Sequence, residues 1–259
     1  MPELLTDRVV LVSGGTQGVG AGIARAAVRE NAAVVVTGRR AEVGEAFVDE
    51  LHDLGGEARF VQADLADLDQ ARGTVAATIQ AYGRIDSLVN AAGLTSRGSL
   101  LDTTPELFDD HVAINLKAPF FLMQDAVADM VRRQAPGTIV NVLTMSSHGG
   151  QPYLAPYSAT KAGLAGLTRN AAHAHRWDRI RINGVNIGWT ETEGEDVVQR
   201  RFHDADDSWL KTAAKSQPME QLGQVDDMAA LVVLLLSDRS GVVTGSVIDW
   251  DQHVIGGLD

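Results

Sequence analysis

Tyr157 and Lys161 stand four residues apart in the stretch YSATK. On a helix that spacing puts both side chains on one face, a turn apart. A phenol of pKa about 10 is a poor acid or base at neutral pH. A neighbouring ammonium favours the phenolate and lowers that pKa, so the pair can exchange a proton with a carbonyl or alcohol oxygen. The chain has three tyrosines and four lysines among 259 residues. Random placement would give such a pair in roughly one chain in twenty, so the spacing informs without deciding. There is no cysteine, which excludes disulfides, thiolate metal sites and a cysteine nucleophile.

A second cluster lies near the start, in SGGTQGVG, Ser13 to Gly20. It follows an apolar run, Val9–Ser13, and precedes a helical pattern. Gly14, Gly18 and Gly20, with Thr16, Gln17 and Val19 between them, would let backbone N–H groups approach a pyrophosphate at a helix N-terminus. The spacing is G-x-x-x-G-x-G rather than G-x-G-x-x-G, and a plain glycine-rich turn is the alternative. Its place straight after a buried strand favours a dinucleotide. The next apolar run ends in VVVTGRR. Where an acid would hold the adenosine ribose, this chain has Gly38, followed by Arg39 and Arg40. Two guanidiniums without a carboxylate favour a 2′-phosphate, so NADP(H) is expected over NAD(H). Asp64, beside Leu65 in QADLAD, could accept from the adenine amino group or cap a helix.

The elements that must carry these residues alternate. Strands are expected at Val9–Ser13, Ala33–Thr37, Ala58–Gln62, Ser87–Asn90, Thr138–Leu143, Arg181–Val185 and Ser246–Asp249. Each is apolar almost throughout, as suits strands covered on both faces. Helical period runs through Gly20–Glu30, Ala41–Leu54, Leu68–Tyr82, Pro105–Gln134, Tyr157–Trp177 and Val225–Leu236. This alternation predicts α/β architecture: a Rossmann-type, doubly wound, seven-stranded parallel sheet in a single domain spanning residues 1–259. Residues 191–221 break the rhythm with a polar insertion, read as a substrate lid.

With those elements in order, SGGTQGVG, VNAAG (Val89–Gly93), Asn115 in INLKAPF, YSATK and VTGSVIDWD (Val243–Asp251) resemble the short-chain dehydrogenase/reductase family over essentially the whole chain. The resemblance implies an NAD(P)-dependent oxidoreductase, with hydride moving between nicotinamide and a secondary alcohol or ketone. Tyr157 would be the general acid/base. Lys161 would hold the nicotinamide ribose and depress the Tyr157 pKa. Asn115 would order a water beside the lysine. The family's serine, thirteen residues before the tyrosine, is Thr144 here, with Ser146 or Ser147 as alternatives if the loop is displaced. Asn90, Ala91 and Gly93 would line the cofactor ribose. The family's Pro-Gly after the sixth strand becomes Ile187-Gly188, and Thr192 would meet the carboxamide or diphosphate. Relatives often assemble as tetramers, so a homo-oligomer is expected.

Substrate contacts are expected from Ser146, His148, Gln151, Trp189 and Trp209, a set suited to a polar cyclic or polyhydroxylated alcohol. No metal is expected: His173 and His175 are two apart and diverge on a helix, and there is no HExxH. The formal net charge is −12, which argues against nucleic acid and anionic membranes as partners. The longest apolar stretch, Ala229 to Leu236, is far short of the ~20 residues a bilayer needs. The start, MPELLTDR, does not read as a signal peptide, and a cytoplasmic setting is expected. The other reading is a dinucleotide binder without turnover, against which Asn115, Tyr157 and Lys161 argue. An epimerase or dehydratase would need a separate C-terminal domain.

Overall fold

The computed structural model describes residues 3–256. Seven parallel strands form one sheet in the order β3-β2-β1-β4-β5-β6-β7. They are β1 (Val9–Ser13), β2 (Ala33–Gly38), β3 (Glu57–Gln62), β4 (Ser87–Asn90), β5 (Gly137–Thr144), β6 (Ile180–Ile187) and β7 (Val247–Trp250). Side chains alternate across a strand, and here both faces are apolar. Val10, Val12, Val34, Val36, Val140 and Val185 point to one side, against Ile23, Leu51, Met228 and Val232. Leu11, Val35, Leu88, Ile139 and Ile182 point to the other, against Val75, Leu122, Met130 and Leu164.

The first face is covered by α1 (Gly18–Arg29), α2 (Ala41–Asp53) and α9 (Val225–Leu236); the second by α3 (Leu68–Tyr82), α5 (Ala118–Arg132) and α6 (Ala155–His175). Chain order reverses between β1 and β4, which opens a crevice at the carboxyl ends of the strands. Both sequence clusters end there. Gly14 follows β1, and the register sets Thr144 at the end of β5 opposite Ile187 at the end of β6.

Two expected elements differ. The helix expected over Pro105–Gln134 is split into α4 (Pro105–Val112), a π-helical turn at Ala113–Lys117, and α5. Pro119 has no N–H to give the Asn115 carbonyl four residues back. The helix widens instead, with Ala118 N–H donating five residues back to Ala113. Residues 191–221 hold no strand but carry two short helices, α7 (Glu193–Phe202) and α8 (Trp209–Lys215). On α6, Leu164 lies in the core with Leu167 and Ala171 packed against it.

Candidate active site

Tyr157 lies in the first turn of α6 and Lys161 one turn further on. Lys161 is buried, with Nζ donating to the Val142 carbonyl at 2.8 Å and lying 6.0 Å from the Tyr157 ring centre. Burial pushes the Lys161 ammonium down to about 8. Burial likewise pushes the half-buried Tyr157 phenol up to about 12; the Thr144 hydroxyl and the Arg97 charge pull it back, while Glu195 adds to the rise. The sequence predicts a phenol depressed by its lysine. The structure reverses that direction, because desolvation outweighs every charge in reach and the ammonium is turned to the Val142 carbonyl.

Thr144 and Ser146 are both buried and joined to each other, the Thr144 hydroxyl donating to Ser146 Oγ at 3.2 Å. The Thr144 hydroxyl acts on the Tyr157 phenol. Ser146 N–H donates to Thr144 Oγ1 at 3.2 Å, and Ser146 Oγ donates to Gln151 Oε1 at 2.9 Å. Ser147 donates to Asn186 Oδ1 at 3.1 Å. Of the three hydroxyls, Thr144 is the one that draws the Tyr157 pKa down.

Asn115 is fully buried and held as a clamp. Its Oδ1 accepts from Leu94 N–H at 2.7 Å, and its Nδ2 donates to the Leu94 carbonyl at 3.0 Å. A further partner was not anticipated. His111, also fully buried, sits one turn earlier. Its Nε2 is 3.1 Å from the Ser96 carbonyl, which can only accept, so the proton is on Nε2. Nδ1 is then free to accept from Asn115 Nδ2 at 3.1 Å. Burial lowers the His111 pKa, consistent with a neutral ring. That ring meets the Tyr157 ring edge-on, centres 6.2 Å apart. The four-residue spacing from Asn115 could have revealed it.

The glycine loop suits a pyrophosphate. Gly14 has φ +72, and a Cβ there would meet Ala92 Cα at 2.7 Å. Gly18 also has positive φ, and Gly20 packs on the Gly14 carbonyl. The first turn of α1, which holds Val19, carries no acid, and Gln17 precedes it without a side-chain cap bond. Thr16 Oγ1 lies 2.6 Å from where a Gly38 Cβ would stand, so an acid cannot replace that glycine without moving Thr16. Arg39 and Arg40 are exposed. Arg40 donates to Gln17 Oε1 at 2.7 Å, and neither arginine meets a carboxylate among the described residues. Asp64 caps no helix: Asp67 caps α3, while Asp64 Oδ1 accepts from Ala66 N–H at 3.0 Å beside buried Leu65. Asn90 Nδ2 donates to Asn141 Oδ1 at 2.8 Å, but its buried Oδ1 has no partner. Ala91 N–H donates to the Ser13 carbonyl at 3.0 Å, joining the two loops. A Cβ on Gly93 would stand 3.7 Å from Lys161 Nζ. Open backbone and two cations without carboxylate partners fit a dinucleotide phosphate, and the orphaned Asn90 Oδ1, an acceptor, fits a ribose hydroxyl.

Beyond Ile187, Gly188 N–H donates to the Trp250 carbonyl at 3.0 Å. Thr192 lies 3.8 Å from the Gly18 Cβ position, at the edge of the phosphate loop. Its hydroxyl accepts from Glu195 N–H at 3.0 Å as the N-cap of α7, which leaves its proton to donate. Trp189 and Trp209 stack at 6.5 Å and donate to Glu195 and Asp196 respectively. Trp209 therefore ties α8 to α7. His148 is drawn to Asp249 and Asn186, at 3.0 and 3.1 Å. Arg97 and Glu195, both within electrostatic reach of Tyr157, escaped the sequence reading. The T-x-x-E spacing from Thr192 was the available signal for Glu195. Among the described residues there is no cluster able to hold a metal and no helix long and apolar enough to cross a membrane.

Comparison with known proteins identifies the family. A family model described as enoyl-(acyl carrier protein) reductase matches residues 14–253. The chain is 35% identical over 247 residues to L-rhamnose 1-dehydrogenase (NAD(P)(+)) of Azotobacter vinelandii, covering 94% of each. A short-chain type dehydrogenase/reductase from Mycobacterium marinum superposes with TM-score 0.89 at 27% identity, covering 99% of this chain and 98% of that one. Actinorhodin polyketide ketoreductase, crystallised as a variant with NADPH, superposes with TM-score 0.90 at 29% identity, covering 95% and 96%. The chain belongs to the short-chain dehydrogenase/reductase family of oxidoreductases.

Proposed function

We propose that this chain is an NADP(H)-preferring dehydrogenase or reductase that interconverts a secondary alcohol and its ketone, with Tyr157 as the general acid/base. The observation that carries the reading is Tyr157 with buried Lys161 one turn behind it on α6 and Thr144 at the end of β5, at the strand ends that open onto the glycine loop. Residues Gly14 to Gly20 would cradle the diphosphate, Arg39 and Arg40 the 2′-phosphate, and Asn90, Ala91, Gly93 and Lys161 the nicotinamide end. The bound nicotinamide supplies hydride transfer at its ring carbon.

The protein handles the proton. Tyr157 gives it to the nascent alkoxide in reduction and takes it from the hydroxyl in oxidation, while Thr144 donates to the same oxygen. A phenol held near 12 is a weak acid and stays protonated near neutral pH, so added positive charge at the nicotinamide would be needed to populate the phenolate for oxidation. Lys161, held near 8, can pass its proton on near neutral pH. The Asn115 clamp on Leu94 keeps the loop carrying Gly93 against the lysine. Residues 191–221 would close over the substrate as a lid. Half-exposed Phe108, Phe120 and Val131 on α4 and α5 support a homo-oligomer. The small-molecule substrate and cytoplasmic setting follow from the same reading.

The test is Tyr157→Phe. Loss of turnover by about three orders of magnitude or more is expected, with NADPH binding retained by fluorescence titration. Thr144→Ala should fall with it, about a hundredfold, and Ser146→Ala should not. Near wild-type turnover in Tyr157→Phe would overturn the assignment.

A further inference from the structure

Arg97 stands on the loop after β4, and the chain is pinned on both sides of it. The Ser96 carbonyl accepts from His111. Gly98 exchanges backbone hydrogen bonds with Tyr153 and Ala155 at 2.8 and 3.0 Å, just ahead of Tyr157. From this fixed base the half-buried side chain reaches the end of α7. Its guanidinium carbon lies 5.7 Å from the centre of the Phe202 ring. Nη2 is 3.5 Å from His203 Nε2, and Nη1 donates to the Thr95 carbonyl at 3.3 Å.

None of these neighbours is an anion. No carboxylate lies within ion-pair distance of Arg97 among the described residues. The chain has 34 acids against 22 basic residues, so a half-buried guanidinium that meets no acid needs a reason. Partly desolvated charge is stabilised by an opposite charge, and a guanidinium fork matches a carboxylate in two parallel hydrogen bonds. Arg97 also lies close enough to Tyr157 for its charge to act on the phenol.

The cleft carries the complementary group too. Glu195 acts on the same phenol. Its Oε1 accepts from Trp189 and Gln199, both at 2.8 Å, while Oε2 has no hydrogen-bond partner among the described residues. A carboxylate fixed by two donors with one oxygen left over is an acceptor for a hydroxyl. It would repel a phosphate dianion more strongly than a monoanion.

We propose that the site takes a hydroxylated carboxylate, with the carboxylate gripped by Arg97 and a hydroxyl of the same molecule donating to Glu195. This rests on the reading of Tyr157 as the proton carrier. The carbinol at Tyr157 would lose its hydride to the nicotinamide and its hydroxyl proton to the phenolate.

The experiment uses glycerate, threonate and galactonate, each beside its primary amide, with NADP+ as oxidant. Binding of the acids to the NADP+-loaded protein is followed separately by calorimetry. The wild type should favour acid over amide by about tenfold or more in kcat/KM. That ratio should collapse towards one in Arg97→Met and recover in part in Arg97→Lys, and acid binding should weaken about tenfold in Arg97→Met. Equal turnover of acids and amides, or a ratio unchanged in Arg97→Met, would overturn the proposal. Turnover confined to neutral alcohols overturns it and leaves the oxidoreductase reading standing. Acid binding that depends on Arg97, without turnover of any alcohol, keeps the anchor and overturns the chemistry assigned to Tyr157. Absence of both acid binding and acid turnover overturns the anchor.

Discussion

Lys161 is the only lysine or arginine that is buried among the described residues, and one hydrogen bond holds it. Its ammonium is held at about 8 against an ordinary 10.5. At pH 7 both folded and unfolded chains carry the proton, and the fold bears a desolvation penalty of about 3 kcal/mol. Between pH 8 and 10.5 the folded chain has released that proton while the unfolded chain still binds it, so this group makes stability rise with pH. Tyr157 opposes it higher up: from 10 to about 12 the unfolded phenol ionises first, and stability falls. Lys161→Met removes the penalty and the bond to Val142, the latter worth about 1 kcal/mol. The expected result is a gain of about 1–2 kcal/mol in urea unfolding at pH 7, a flatter stability curve from pH 8 to 10, and activity lower by two or more orders of magnitude. A less stable Lys161→Met would mean that burial does not strain this lysine.

The strand and helix alternation was legible because parallel strands covered on both faces read as unbroken Val and Ile runs, and β1, β4, α3 and α9 fall where those patterns end. The split in the helix before β5 was not read. Its cause, Pro119, is local, but its effect is a π turn that matters only once Asn115 meets Leu94 from another element. The same limit applied to the site. Tyr157, Lys161 and the glycine loop announce themselves by spacing, whereas Arg97 and His111 act across elements. His111 is the strut between α4 and the loop after β4, donating to Ser96 and accepting from Asn115. His111→Leu should lower kcat about tenfold through loss of those two bonds, roughly 1.4 kcal/mol, with KM little changed. A glutamine can both donate and accept, so His111→Gln should recover most of kcat. Equal loss in both variants would reduce His111 to core packing.

At the scale of the whole molecule, the charge of −12 would seem to repel a cofactor rich in phosphate. Charge acts locally, however, and screening limits its reach to about 8–10 Å at ordinary ionic strength. Where β2 meets α2, two exposed guanidiniums meet no carboxylate in ion-pair contact, and they lie beside the N-terminus of α1, whose first turn has no acid, although the first turn of α2 carries Glu42. A ligand that binds only the folded chain stabilises it by mass action, about 2.7 kcal/mol at a hundredfold excess over Kd. For a domain of this size that raises the thermal midpoint by about 5–10 °C. NADP+ should therefore shift the midpoint well beyond NAD+ at equal concentration. The Arg39→Ala, Arg40→Ala double variant should remove the difference, and raised salt should shrink it, since both side chains are exposed. An equal shift by NAD+ in the wild type would assign these arginines to solvent. Gly38, whose Cβ space Thr16 already fills, would then be missing an acid for packing reasons alone.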